Sequence, residues 1–208
     1  MKVMIVDDEP DIVDLLSLML GSHDYGVITA YSGNECLEKL QEGKPDLILL
    51  DLVMPDIDGW EVLSRIRQNA QLKSIPVVII TAKQLTAEVA QKKAPYLTEY
   101  LVKPITNEGL ISVIEDIVSA SKQLEDFVSA ATDAGIEQGL IDKYIHVNQQ
   151  TEGYKRMYTS LVQIYTKKRL KRDESAKNTM NSIKRVIDLN ERNLAKLRAE
   201  IEEKIEAR

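Results

Sequence analysis

The stretch Leu47-Ile48-Leu49-Leu50-Asp51-Leu52-Val53-Met54-Pro55-Asp56-Ile57-Asp58-Gly59 decides how the chain is read. Four apolar residues run unbroken into an acid. A continuous apolar run of strand length suits a strand buried on both faces, as in a parallel sheet. Asp51 then lies at the carboxyl end of that strand, where open α/β sheets place their ligands. Met54-Pro55 and Asp58-Gly59 turn the chain away, so Asp51 is expected to stay reachable from solvent. Taken alone, the same residues also describe a plain strand followed by a polar turn.

Working outward, the same alternation recurs. Lys2–Val6 is an apolar strand running into Asp7-Asp8-Glu9. Pro10 suits the first turn of a helix, whose apolar face is expected to hold Ile12, Val13, Leu15, Leu16, Met19 and Leu20. Val27–Ala30 is a second strand. Ser32 and Glu35 have capping-box spacing, each expected to satisfy the other's backbone donor. Gly59–Gln68 reads as a helix, Ile75–Thr81 as a strand, Thr86–Lys93 as a short weak helix, and Tyr96–Val102 as the last strand, followed by Lys103-Pro104. Thr106 can cap a final helix carrying Leu110, Val113, Ile114 and Ile117. Five strand–helix alternations argue for a parallel sheet covered by helices on both faces.

That topology gathers residues that are distant in the chain. Asp7 and Asp8, Asp51, Thr81 and Lys103 each fall at the carboxyl end of a different strand, hence at one sheet edge. Any one of them could be an ordinary strand-end residue, an acid in solvent or a threonine capping a loop. Crowded carboxylates repel, and a hard cation such as Mg²⁺, which takes oxygen ligands, removes the conflict. Without nearby His or Cys, zinc is disfavoured. An ionised Asp can also act as a nucleophile and form an aspartyl phosphate. Phosphoryl transfer needs mainly positioning and charge neutralisation, which Mg²⁺, the Lys103 ammonium and the Thr81 hydroxyl could supply. No Walker A loop or kinase motif set is present, so the phosphoryl group must come from an activated donor.

The runs Val6-Asp7-Asp8-Glu9-Pro10, Asp51 to Gly59, Thr81-Ala82 and Tyr100-Leu101-Val102-Lys103-Pro104 together resemble the response-regulator receiver family over residues 1–120. The resemblance implies a flavodoxin-like (βα)5 fold and an Asp51 that takes phosphate from a histidine kinase. It implies Mg²⁺ held by Asp8, Asp51 and the Val53 carbonyl, with Asp7 acting through water. Lys103 would bind the phosphoryl group, Thr81 would swing toward it, and Tyr100 would turn inward as the coupled switch. The Lys103-Pro104 bond would be cis. The protein would then be a phosphoacceptor, not an enzyme beyond its own phosphorylation and dephosphorylation. Two departures stand out. Ala94-Pro95-Tyr96 replaces the family's usual small residue and Gly after the fourth helix, so that helix is expected to sit differently. An apolar Val53 cannot orient a water, and together with Lys83 it implies slow loss of phosphate.

Residues 121–208 read as an all-helical region. The final receiver helix has no breaker until Gly135, and either one long helix or two with an unwinding near Ser119–Ser121 fits. Ile136–Val147 is helical, Asn148–Thr151 reads as a turn, and Tyr154–Tyr165 carries the face of another helix. In the heptad helix of about 174–206, Met180, Ile187, Leu194 and Ile201 fall at a, and Ala176, Ile183, Asn190, Leu197 and Lys204 at d. This makes a coiled coil or an antiparallel bundle, with Asn190 fixing register. Self-association and a downstream protein partner are the expected output. The competing expectation is nucleic-acid binding through Lys167–Arg172, a basic run that otherwise describes a solvated helix end. A third is a phosphorelay intermediate whose helices only dock partners. His146 lacks the surrounding pattern of a phosphotransfer histidine.

Charge and cysteine usage bound these readings. The net charge of -6 divides into -9 over residues 1–120 and +3 over the rest. The acidic part does not suit nucleic acid. One cysteine, Cys36, excludes an intrachain disulfide and a Cys-rich metal site. No apolar run is long enough to span a bilayer and no signal-peptide pattern opens the chain, so a soluble cytoplasmic protein is expected.

Overall fold

The computed structural model describes residues 1–165 and 173–206; the basic run Lys167–Arg172 lies outside the described residues. The elements are β1 (Lys2–Val6), α1 (Pro10–Gly21), β2 (Gly26–Ala30), α2 (Gly33–Glu42), β3 (Leu47–Leu50), α3 (Gly59–Gln68), β4 (Val77–Thr81), α4 (Ala87–Lys93), β5 (Glu99–Val102), α5 (Asn107–Asp133), α6 (Gln138–Ile164) and α7 (Glu174–Glu206). All strand pairs are parallel, in the order β2-β1-β3-β4-β5. Every residue of β3 and β4 is buried, and so is β1 from Val3 onward, which is why these strands read as unbroken apolar runs. Both edge strands, β2 and β5, are only partly buried.

No helix among the described residues is long and apolar enough to cross a membrane.

The chain divides into two compact units. One comprises Met1–Gln84 with Tyr96–Val113, the other Leu85–Pro95 with the chain from Ile114 onward. The division differs from the expected boundary at residue 120 in two ways. It falls inside the continuous α5, and it assigns α4 to the second unit, where α4 packs with α6 and α7. The departure at Ala94-Pro95-Tyr96 forms a 3-10 turn directly after α4. This turn shortens the expected Tyr96–Val102 strand, whose ladder begins only at Glu99.

Several local expectations change in detail. Val13, Leu16 and Leu20 form the buried face of α1, while Leu15 is 49% exposed. The Ser32 hydroxyl accepts from the Glu35 amide at 3.1 Å, but Glu35 reaches past Ser32 to the Tyr31 amide at 2.7 Å. The turn expected at Asn148–Thr151 is instead the middle of α6. Those polar residues contain neither Gly nor Pro, and the buried Thr151 hydroxyl donates to the Val147 carbonyl at 2.6 Å, so nothing there breaks the helix.

In the helical unit α6 and α7 run antiparallel. Leu197 and Ile201 of α7 cluster with Ile141, Tyr144 and Val147 of α6 and with Ala131 and Ile136. Further up α6, Lys155 lies 3.1 Å from Glu191, which comes earlier in α7. The Phe127 ring of α5 lies 4.6 Å from that of Tyr144, tilted by 41°, with the Arg198 guanidinium over Phe127. The expected seam is met by α6 of the same chain. Ala176, Met180, Ile183, Ile187, Leu197 and Ile201 are buried, whereas Lys204, near the end of the repeat, is exposed and pairs with Glu200 at 2.7 Å.

Candidate functional site

Apart from Asp8, two positions beyond β1, each residue expected at the sheet edge lies within its strand or one position after it, and its backbone still belongs to the ladder. The Asp7 amide donates to the Ala30 carbonyl at 3.1 Å, Asp51 to Val6 at 2.8 Å, and Lys103 to Thr81 at 2.8 Å. The sheet's register therefore fixes where these side chains start. It brings Asp7, Asp51 and Lys103 together from three strands. The Lys103 Nζ lies 2.7 Å from Asp7 Oδ2 and 3.2 Å from Asp51 Oδ1, with Glu9 at 3.9 Å.

Asp51 is 4% exposed, so the expectation that it stays open to solvent is corrected. The Val53 amide folds back to donate to Asp51 Oδ2, and Lys103 covers the other oxygen. Val53 itself is 51% exposed, beside a carboxylate that is not. Burial pushes the Asp51 carboxyl up, against the opposing pull of the Val53 amide and of Lys103; Asp7 adds to the rise. Burial works against the Lys103 charge, but hydrogen bonding to Asp7 and the nearby Asp51 outweigh it and hold the ammonium above its ordinary value.

Thr81 is fully buried, and its hydroxyl accepts from the Lys83 amide at 3.3 Å. Tyr100 is already turned inward. Its ring is buried, its hydroxyl donates to the Lys83 carbonyl at 2.9 Å, and its acidity is suppressed, first by burial and then by Asp51, to a pKa of about 12. The Lys103-Pro104 bond is cis. Trp60 was not singled out from sequence, yet it stacks on Tyr100 at 6.4 Å. Its position next to Gly59, in the first turn of the helix after the Asp51 loop, was the available signal. At Gly59 a Cβ would meet the Asp51 carbonyl at 2.2 Å, so only glycine lets α3 start this close to the loop.

The three acids do not converge equally. Asp7 and Asp51 are drawn to Lys103, while Asp8 is half-exposed. Among the described residues no group of three or more His, Cys, Asp or Glu side chains is placed to hold a metal ion, and the Lys103 ammonium bridges the two buried acids. The donor set still suits a hard cation. It offers two converging carboxylates, Asp7 and Asp51, and Mg²⁺ commonly uses one or two carboxylates and keeps several waters.

Comparison with known proteins agrees with this arrangement. The response regulator receiver domain model matches residues 3–115, just over half of the chain. Protein PilH of Pseudomonas aeruginosa is 30% identical over 118 residues, covering 57% of this chain and 98% of that protein. Among solved structures, the chemotaxis protein CheY4 of Vibrio cholerae is 33% identical with a TM-score of 0.52, covering 55% of this chain and 96% of its own. The response regulator TrrA of Thermotoga maritima, solved in complex with Mg²⁺ and BeF, is 32% identical with a TM-score of 0.50, again over 55% of this chain and 96% of its own. The family match ends at residue 115, and these relatives cover no more than 57% of this chain. Five parallel strands, a buried acid pair bridged by a lysine, and a match spanning the whole sheet lead to one conclusion: this chain belongs to the response regulator receiver family of two-component signalling.

Proposed function

We propose that Asp51 accepts a phosphoryl group from the phosphohistidine of a histidine kinase, with Mg²⁺, and that the helical unit reads out that state as a protein-interaction and self-association module. The observation that carries this is the convergence of Asp7, Asp51 and Lys103 from strand ends up to 96 positions apart in the chain. In the transfer, an Asp51 carboxylate oxygen forms a bond to phosphorus as the donor's P–N bond breaks. The imidazole leaves and takes its proton from water. When bound, Mg²⁺ supplies the positive charge that offsets the acids and the phosphoryl oxygens; Asp7, Asp8, Asp51 and the Val53 carbonyl are the groups that would hold it.

The chain's own residues do the rest. Lys103 already bridges Asp7 and Asp51 and would follow the charge onto the phosphoryl oxygens. Thr81, drawn toward that group, would give up the Lys83 amide. Tyr100 holds the Lys83 carbonyl, so the two switch residues grip the same backbone segment from opposite polarities. A change at Asp51 thereby reaches the chain just ahead of α4. The protein on this reading transfers phosphate only to and from itself.

The test is acyl-phosphate labelling of the full chain by a small phosphodonor such as phosphoramidate, with Mg²⁺. Label is expected on the native protein and none on Asp51→Asn. Undiminished labelling of the variant would place the acceptor elsewhere and end this reading.

A further inference from the structure

The loop from Leu52 to Asp58 carries the Val53 amide that holds Asp51, and something must hold the loop. One end is settled. Gly59 packs on the Asp51 carbonyl, its amide donates to the Leu52 carbonyl at 3.2 Å, and Asp58 caps α3 by accepting from the Glu61 amide at 2.9 Å. The middle of the loop is held from elsewhere in the fold. Asp56 Oδ1 accepts from the Gly33 amide at 3.2 Å and Oδ2 from the Asn34 amide at 2.8 Å.

These are the first two amides of α2, and helix-start amides have no partner within the helix. The Ser32 hydroxyl takes the Glu35 amide and the Ser32 carbonyl takes that of Cys36. Asp56, more than twenty positions away, completes the set. Burial is the largest single effect and pushes the Asp56 carboxyl up, but the backbone amides of Asn34, Ile57, Gly33 and Asp56 together outweigh it and hold the carboxyl below its ordinary value, which favours the ionised form. The neighbouring side chain adds an apolar contact. At Gly33 a Cβ would lie 2.5 Å from Ile57 Cγ1 and 2.7 Å from Val62 Cγ2, so Ile57 sits directly on the bare α2 backbone.

We infer that Asp56 is a positioning residue for Asp51: by clamping the phosphoacceptor loop to the start of α2, it keeps the Val53 peptide where that peptide orients the Asp51 carboxylate. The clamp lies outside the Asp7–Asp51–Lys103 cluster and touches neither phosphate donor nor metal. Its contribution is geometric, and a misplacement of about 1 Å at a reacting group can cost about 100-fold in rate.

This inference rests on Asp51 being the phosphoacceptor, and the experiment separates the two claims. Full-length protein is labelled with phosphoramidate and Mg²⁺ as a function of donor concentration, for the native chain, Asp56→Ala, Asp56→Asn, Gly33→Ala and Asp51→Asn. For Asp56→Ala the maximal rate is expected to fall by about 10- to 100-fold, with little change in the donor concentration giving half-maximal rate. Asp56→Asn, which keeps one acceptor oxygen, should recover part of the rate. Gly33→Ala should reproduce the loss with the carboxylate intact, because it displaces Ile57. If Asp56→Ala or, should that variant not fold, Asp56→Asn labels at the native rate while Asp51→Asn does not label, the clamp is only structural and the inference is overturned. Labelling of Asp51→Asn would instead overturn the acceptor assignment itself.

Discussion

The sheet unit and the helical unit are built on opposite principles. In the sheet unit, residues far apart in sequence meet because parallel strands carry them to a common edge. Lys103 and Asp7 are separated by 96 positions yet lie 2.7 Å apart. In the helical unit, long helices satisfy a repeating pattern with one another, and the buried positions of α7 follow its heptads from Ala176 to Ile201. A unique constellation of charges specifies chemistry. A repeat specifies packing and leaves open what the packed surface recognises. That contrast explains why comparison with other proteins places residues 3–115 in a family while the function of the helices rests on their geometry alone.

The comparison can be broken most sharply at Lys103. If the charge constellation is what separates the units, Lys103→Met should lower the Asp51 phosphorylation rate by about 100-fold or more, the scale of losing one transition-state charge contact. Helical content measured by far-ultraviolet circular dichroism should stay native. Native-rate labelling of the variant would show that the buried acids alone suffice.

A second variant tests the other side. Ile201 is fully buried in the cluster that joins α5, α6 and α7. Truncation to Ala should cost about 2–5 kcal/mol from lost burial and the cavity left behind. The single tryptophan, Trp60, lies beside Tyr100 in the sheet unit and reports that unit separately. In Ile201→Ala the denaturant midpoint followed at 222 nm should drop, while that of Trp60 emission stays near native. Equal movement of both midpoints would mean that the units fold as one cooperative body.

The smallest expected effect is a pH dependence confined to the sheet unit. Burial pushes the Cys36 thiol up to about 12. An acid whose folded pKa is raised stabilises the fold below its unfolded pKa, and that contribution is lost as pH climbs toward the folded value. Stability should therefore be insensitive to Cys36 below about pH 8 and decline through the alkaline range, and Cys36→Ala should remove that part of the decline. Alkylation of the native thiol at pH 8 should be slow and should become fast on unfolding. Rapid alkylation of the folded protein would show that α2 opens far more readily than its packing indicates.

Much of the sheet unit was legible in sequence. Apolar runs such as Leu47–Leu50 can hardly be anything but central strands, and acids or a lysine directly after them inherit a defined edge. Other features depended on contacts the sequence does not announce. Leu15 belongs to an apolar pattern, yet only the sheet decides that Leu16 faces inward and Leu15 does not. Asn148–Thr151 has turn composition, but a buried hydroxyl bond and packing on both sides keep α6 continuous. Tertiary context overrode local preference there, as it commonly does for polar residues within helices.

From the sequence alone followed the alternation of strands and helices, the candidate residues Asp7, Asp8, Asp51, Thr81 and Lys103, and the heptad seam of α7. These are legible because burial imposes periodicity on a chain and strand ends impose position. Only the tertiary structure decided that Asp51 is closed over by Val53, that Lys103 takes both buried acids while Asp8 stays at the rim, that α6 meets the α7 seam, and that Asp56 holds the start of α2. Apart from the local bond between Val53 and Asp51, the contacts among these join segments distant in the chain. Their distances are set by how elements pack, which no local pattern of residues records.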